Sequence, residues 1–585
     1  MASEVTKYSV FDPRIIQTKP KYAVEKGAAS ISNVPVQAQT ADSSSVQFNV
    51  QVPSENVFVD RAVQWKGSAV AKVVLTATGQ PIPVGTSLAG LVAPAAFPLH
   101  QAVTQMSATI NDATVTVNTQ DVLPQVLRLA DMRDARRQRT CPTMLDRYAL
   151  YPDSGVVKNS PLLLWDETKN SDEVPNGGFN GFYFATSPNG QTPCGTQGPL
   201  IDAPKISYVN GQPFASAEID PAEDDTLTFY VVVTSVERLM LPPFIFSDQY
   251  ELSTGLFGVQ NFQVQMNIAP NPSRVFRCAT ALSVRAVDGA GTTTNFTSVV
   301  TWSTNANVGG IWTAKPTLNV TFLTPSLDVP LPPKSIVPYM EFPRYITTGL
   351  SSVPTWTTTS LGASDLISST ITLPNIPDLL VIYVKPSSYT ASQGDFSLPI
   401  TKISLNFDNF SGLLSTMTQG QLYQMSVNNG VDMDWSEWSG NGYVSHGLGR
   451  GDVPIVGSEP PADLENAPLS GGRVGLVGGP LVLRPGRDFS LQSGQASGLV
   501  GNFSLQFTLS VLNYTGDEVS ANIYVVPISS GFFETIKGSS RVIKGVLSEQ
   551  DILGASNAAP SPELQRPVGA GRKPSARHAG MGAYV

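Results

Sequence analysis

An all-β fold of two tandem β-sandwiches, with long loops and few short helices, is predicted by three features of the sequence. Segments that alternate apolar and polar residues recur from Val46 to Val526, the period of a half-buried strand. Helical patterning is scarce, with one good candidate just after residue 118. Turn formers are abundant, 49 glycines and 46 prolines in 585 residues, and they divide the alternating segments into short lengths.

Residues 1–44 are polar and aperiodic, and are expected to form an arm, either disordered or ordered only against a neighbour. Alternation starts at Val46–Val52 and continues through Ala62–Trp65 and Ala69–Thr76. Ser107–Val117 reads as a hairpin that turns at Asn111-Asp112. Asn118 or Thr119 then caps a helix whose apolar face is Val122, Val126, Leu127 and Leu129, with Pro124 in its first turns. Leu227–Thr234 is a further strand, and Leu241-Pro242-Pro243-Phe244 marks an expected domain junction. Beyond it, strands are predicted at 262–268, 317–322, 379–384, 400–407, 503–512 and 521–526. A Gly/Pro/Ser-rich stretch from 429 to 501 is expected to project outward or clasp adjacent subunits, and periodicity fades from about 536. The expected division is an arm (1–44), one sandwich (45–240), a second (241–535) and a tail (536–585). Seven to nine strands on either side of residue 240, joined by long loops, is the count of a jelly roll.

Charged residues make up 14% of the chain, against roughly 25% in soluble proteins generally. Surface covered by other protein is one reason for such depletion. A net charge of −9 provides no overall basic field for nucleic acid. Three scattered cysteines, Cys141, Cys194 and Cys278, build no disulfide framework. The opening residues Met1–Val5 lack the basic and apolar regions of a signal peptide. Synthesis in a reducing cytoplasm is therefore expected.

The segments Ile376–Val384, Ile403–Asn409, Leu422–Gly430 and Gly478–Leu483 follow one another in an order that resembles the double jelly-roll major capsid proteins of the Polinton and adintovirus group. Pro98–Gln101, Met106–Val117 and Asp121–Pro124 are similar in the first half. The resemblance spans about residues 45–535. It implies two jelly rolls side by side in each subunit, homotrimers of pseudo-hexagonal outline, and an icosahedral shell tiled by them. Implied partners are neighbouring capsomers and a penton or minor capsid protein. The implied location is the virion, after synthesis in the host cytoplasm and assembly there or in the nucleus.

No catalytic residue, metal ligand or cofactor is expected. His100, His446 and His578 have no metal-ligand spacing, and His100 reads as a hydrogen-bonded structural residue. The glycines of 471–479 lack the Lys-Ser/Thr of a phosphate-binding loop, and Pro480 and Pro485 point to an irregular surface loop instead. Trp435 and Trp438 are candidate anchors of a long loop, within the subunit or at its interface. Asp432, Asp434 and Glu437 make an acidic cluster that reads as a solvated turn more readily than as a calcium site. Arg133, Arg136, Arg137 and Arg139 interleave with Asp131 and Asp134, which favours ion pairs over a phosphate track. Arg572, Lys573 and Arg577 form a basic tail suited to weak contact with genome or an internal membrane. Two other classes fit the same composition: a trimeric spike or fibre, and a carbohydrate-active β-sandwich protein with paired carboxylates at a cleft.

Overall fold

The structure, a computed structural model, describes residues 30–544 except 43, 55, 77–91, 142–144, 150–204, 210–211, 214–225, 245–254, 269–273, 279–282, 286–290, 296–306, 309–310, 313–315, 326–333, 356–361, 389–392, 446–470 and 516–517. The arginine tail and the histidines at 446 and 578 lie outside the described residues.

Two pairs of antiparallel sheets carry the chain. In the first pair the main strands are β1 (Ser30–Gln37), β2 (Ser45–Gln51), β3 (Gln64–Thr76), β4 (Val103–Ile110), β5 (Ala113–Val117), β6 (Thr226–Arg238), β7 (Asn261–Ile268) and β8 (Thr317–Thr324). One sheet runs β1-β8-β3-β6 and the other β2-β7-β4-β5, each with short additional strands. Alternation does what the sequence predicts: in β2, Val46, Phe48 and Val50 are buried while their neighbours are half-exposed. The β4–β5 hairpin turns at Asn111, which sits at φ 53°, a left-handed conformation that Asn tolerates well.

The second pair holds β9 (Ser335–Glu341), β10 (Ala363–Ile367), β11 (Ile371–Asn375), β12 (Leu379–Pro386), β13 (Ile400–Phe407), β14 (Phe410–Leu413), β15 (Leu481–Leu483), β16 (Val500–Leu512), β17 (Val519–Ile536) and β18 (Ser539–Lys544). One sheet follows β9-β17-β12-β15 and the other β10-β16-β13-β14. Strand β12 is buried along nearly its whole length, as its continuous apolar run requires.

Sheet membership departs from the expected division at residue 241. Strands β7 and β8, both beyond that point, pair with β2, β4, β1 and β3. The Leu241–Phe244 turn is no linker either, because Leu241 and Phe244 are fully buried in the first core. Proline there breaks a strand without ending a domain. At the N-terminal side, β1 takes eight residues of the expected arm into an antiparallel pairing with β8.

Strand β17 is the longest element, 18 residues, or roughly 60 Å at about 3.3 Å per residue. Its first part supplies Ala521, Ile523, Val525 and Val526 to the second core. Its last part pairs with β9 and β18, and there Phe533, Val337 and Tyr339 enter the first core. One strand therefore belongs to both cores. The β17–β18 turn is bonded to the first unit as well: Gly538 N donates to Gly258 O (2.8 Å), Asn111 Nδ2 to Ser540 Oγ (2.9 Å) and Ser539 Oγ to Asp112 Oδ2 (2.9 Å).

Truncating Phe533, which is fully buried far along this shared strand, removes a large side chain from the first core. Phe533→Ala is expected to cost about 3–5 kcal/mol, read as a lower denaturant midpoint by intrinsic fluorescence.

Candidate functional site

Helix α1 (Pro98–Gln101) stays with the first unit, where Leu99 is buried, whereas helix α2 (Thr119–Val126) and the turns that follow pack on the second. Val122, Leu123, Val126, Leu127, Leu129 and Met132 are buried in the second core. Their apolar spacing makes α2 helical, and the face so formed has only the second unit to bury against. Asn118 sits at the N-cap position, yet its side chain makes no capping hydrogen bond.

Polar contacts line the seam. Gln125 Nε2 donates to Ser397 Oγ (2.8 Å), and Gln101 Nε2 donates to Asp395 Oδ2 (3.2 Å). Lys385 Nζ lies 2.8 Å from Asp395 Oδ1, and both side chains are buried. Asp146 Oδ2 accepts from the Asp395 backbone N–H (2.7 Å). Burial pushes the Lys385 ammonium below its usual range, while Asp395 opposes that shift.

Nearby, Arg133 Nη2 reaches Asp432 Oδ1 (2.9 Å) and Arg136 pairs with Oδ2 of the same carboxylate. Asp432 N donates to Arg128 O (2.8 Å) and Ala130 N to Gly430 O (2.7 Å), so backbone and side chains converge on one turn. Arg147 Nε pairs with Glu437 (2.6 Å). Two of the three acidic residues in the Asp432, Asp434 and Glu437 cluster are thus engaged by arginine. Among the described residues no group of three or more His, Cys, Asp or Glu is placed to hold a metal ion.

The other arginines diverge. Arg137 is exposed, and Arg139 lies over the Phe97 ring at 5.0 Å, a cation–π contact. His100 is buried: Met240 N donates to its Nε2 (3.2 Å), so Nδ1 carries the hydrogen and donates to Glu237 Oε2 (2.5 Å). Glu237 also accepts from the backbone N–H groups of Leu99 and His100. This carboxylate orders the start of α1, a structural use of histidine.

Helix α4 (Trp435–Trp438), which follows helix α3 (Gln419–Asn428), carries both tryptophans. Trp438 is fully buried and donates from Nε1 to Pro480 O (2.8 Å). Trp435 stacks on it at 6.1 Å but remains 45% exposed. The glycine run beside them is no irregular surface loop. Gly471–Gly475 forms a strand with Asn441–Ser445, and Val477 is buried. A Cβ at Gly479 would lie 2.2 Å from the Trp438 ring, and one at Gly478, at φ 66°, 2.1 Å from Ser397 O. The glycines let backbone approach the indole. Within the 429–501 stretch, Trp438, Val477 and Leu481–Leu483 are buried, while Trp435 and Val500 are exposed.

Sequence reasoning brought out Arg133, Arg136, Trp435 and Trp438 but missed Lys385, Asp395 and Glu237. An ionisable residue interrupting a buried strand, as Lys385 does in β12, is the available signal.

Two sandwiches in each chain give the double jelly-roll fold. The chain belongs to the virophage major capsid proteins: the model of the Sputnik virophage major capsid protein first domain matches residues 3–308, more than half of it. The model of the major capsid protein V20 C-terminal domain matches 342–531. A capsid protein V20 of Sputnik virophage is 22% identical over 580 residues, covering 96% of this chain and 84% of the relative. The cryo-EM structure of Sputnik virophage matches with a TM-score of 0.69 at 22% identity, covering 96% of this chain and 98% of that one. The crystal structure of the mavirus major capsid protein matches at 0.63 and 15%, covering 96% and 99%. The relatives are structural capsid proteins, not enzymes, and this chain is a virion component.

Two outcomes test the seam. Asp395→Ala, which strands a buried ammonium, is expected to cost about 3–5 kcal/mol, whereas Lys385→Met with Asp395→Leu, which leaves the Gln101 amide without this partner but no unpaired charge, costs less; urea unfolding distinguishes them. Hydrogen bonds from Arg133, then Arg136, hold the Asp432 carboxyl below its ordinary 3.8. Its contribution is complete above that value and lost as pH falls through the lower folded one. Between pH 5 and pH 2.5 (roughly, from these carboxylate ranges), wild-type melting temperature should fall further than that of Asp432→Asn.

Proposed function

We propose that this chain forms homotrimeric, pseudo-hexagonal capsomers that tile an icosahedral shell. The observation that carries this reading is β17, which ties two sandwiches into one block. Two like units per chain, three chains per ring, present six sandwiches around an axis, which is how a trimer acquires a six-sided outline. Low charge, 14%, suits lateral faces that meet other copies. Support also comes from the coverage of whole capsid chains of Sputnik and mavirus.

In this reading the first unit runs from β1 to β8 and the second from β9 to β18, with the chain ends beyond them acting between capsomers or at the shell interior. Trp435, exposed on the same short helix as Glu437, serves as an anchor at a subunit contact. Arg137 and the basic residues Arg572, Lys573 and Arg577 supply weak contacts to genome or an internal membrane, multiplied over the shell. A penton or minor capsid protein fills the vertices. Synthesis takes place in the host cytoplasm.

Native mass spectrometry with electron microscopy of the purified full chain tests the assembly. The expected particle has three times the 62.3 kDa chain mass and a hexagonal outline, and Trp435→Ala weakens it without lowering the melting temperature. A monomer at assembly concentrations, or elongated rods, would refute the proposal.

A further inference from the structure

One sheet face is left apolar. On the β9-β17-β18 ribbon the inward side chains Val337, Tyr339 and Phe533 fill the first core. The opposite face carries Ile336 (46% exposed), Phe532 (52%) and Ile536 (43%). The register places Pro338, Phe532 and Ile543 in one cross-strand row, and Ile336, Glu534 and Arg541 in the next. Pro338 is exposed and Ile543 half-buried. The rim is basic: Lys334 and Arg541 flank Glu534, and Lys537 occupies the turn, whose Ser539 and Ser540 bond Asp112. Three cations meet two carboxylates there.

The chain continues from this face. Lys544 ends β18 one residue past Ile543, and residues 545–585 follow. Directly after it stands Gly545-Val546-Leu547-Ser548-Glu549-Gln550-Asp551-Ile552-Leu553-Gly554. Two apolar pairs, Val546-Leu547 and Ile552-Leu553, bracket two carboxylates, Glu549 and Asp551. That composition complements an apolar strip with a surplus of positive charge. A glycine at 545 permits the chain to reverse. Eight residues reach at most about 28 Å, and the four steps from Phe532 to Ile536 span roughly 13 Å, so the segment is long enough to cover the strip.

We propose that residues 546–553 dock on the outer face of the β9-β17-β18 ribbon of their own chain, with Leu547 and Ile552 against Ile336, Phe532 and Ile536, and with Glu549 and Asp551 toward the basic rim. Attachment one residue from the strip gives this segment a local concentration that a second molecule cannot match.

A photo-reactive benzoylphenylalanine replacing Phe532 in the full chain reads the occupant directly. Irradiation of a mixture of light and heavy isotope-labelled chains, followed by peptide mass spectrometry, should join position 532 to residues 545–554 within one chain. Leu547→Asp with Ile552→Asp should lower that yield about tenfold, the effect of about 1.4 kcal/mol. Light–heavy cross-links would assign the face to a second copy and overturn the proposal. So would cross-links to another segment, no cross-link at all, or a yield unchanged by the aspartates.

Discussion

The rest of the structure depends on the insertion of β17 into two cores at once. Its early residues close the second sandwich and Phe533 closes the first. Its hydrogen bonds run to β12 and β18 along one edge and to β9 and smaller strands along the other. A sheet paired on both edges is hard to bend or slide, because every residue shift moves a buried side chain to the wrong face. The two units are consequently fixed in relative position by backbone pairing rather than by a flexible tether.

Side chains complete what the strand begins. Apolar residues of α2 and the following turns enter the second core, and polar partners around Asp395 and Asp432 set their register. A buried ion pair such as Lys385–Asp395 adds little net stability against an apolar equivalent. Its contribution here is positional: only one placement of α1 and α2 gives Gln101 and Asp146 their partners on Asp395. The exposed Arg133–Asp432 contact, with Arg133 58% exposed, is weaker by nature, and its role is to finish a turn already held by backbone hydrogen bonds.

Much of the fold was legible in the sequence because strand periodicity is a local signal. Val46–Val52, Ser107–Val117 and Phe503–Leu512 read as strands and a hairpin, and are such. Three misreadings share one cause, the dependence of structure on distant partners. The proline pair at 242–243 read as a boundary because nothing local reveals that Leu241 and Phe244 are buried. The 471–479 glycines read as a loop because the indole they accommodate lies some forty residues away. Beyond Val526, β17 departs from simple alternation where it passes from one core to the other. One miss was avoidable: Thr418 and Gln421 form a capping box at α3, a signature visible in Thr418-Gln419-Gly420-Gln421. The candidate site was legible only in part, since arginine clusters and tryptophans stand out in composition while Asp395 and Glu237 are distinguished by burial alone.

The position of Phe533 bears on biosynthesis. A ribosome makes the N-terminal sandwich first, but that sandwich acquires Phe533, and with it the strand that pairs Val337 and Tyr339, only once residue 533 has been made. Chains that stop short of it carry an open apolar interior, the kind of surface on which unfinished proteins aggregate. Synthesis through β17 becomes a built-in inspection step for subunits that go on to build a particle.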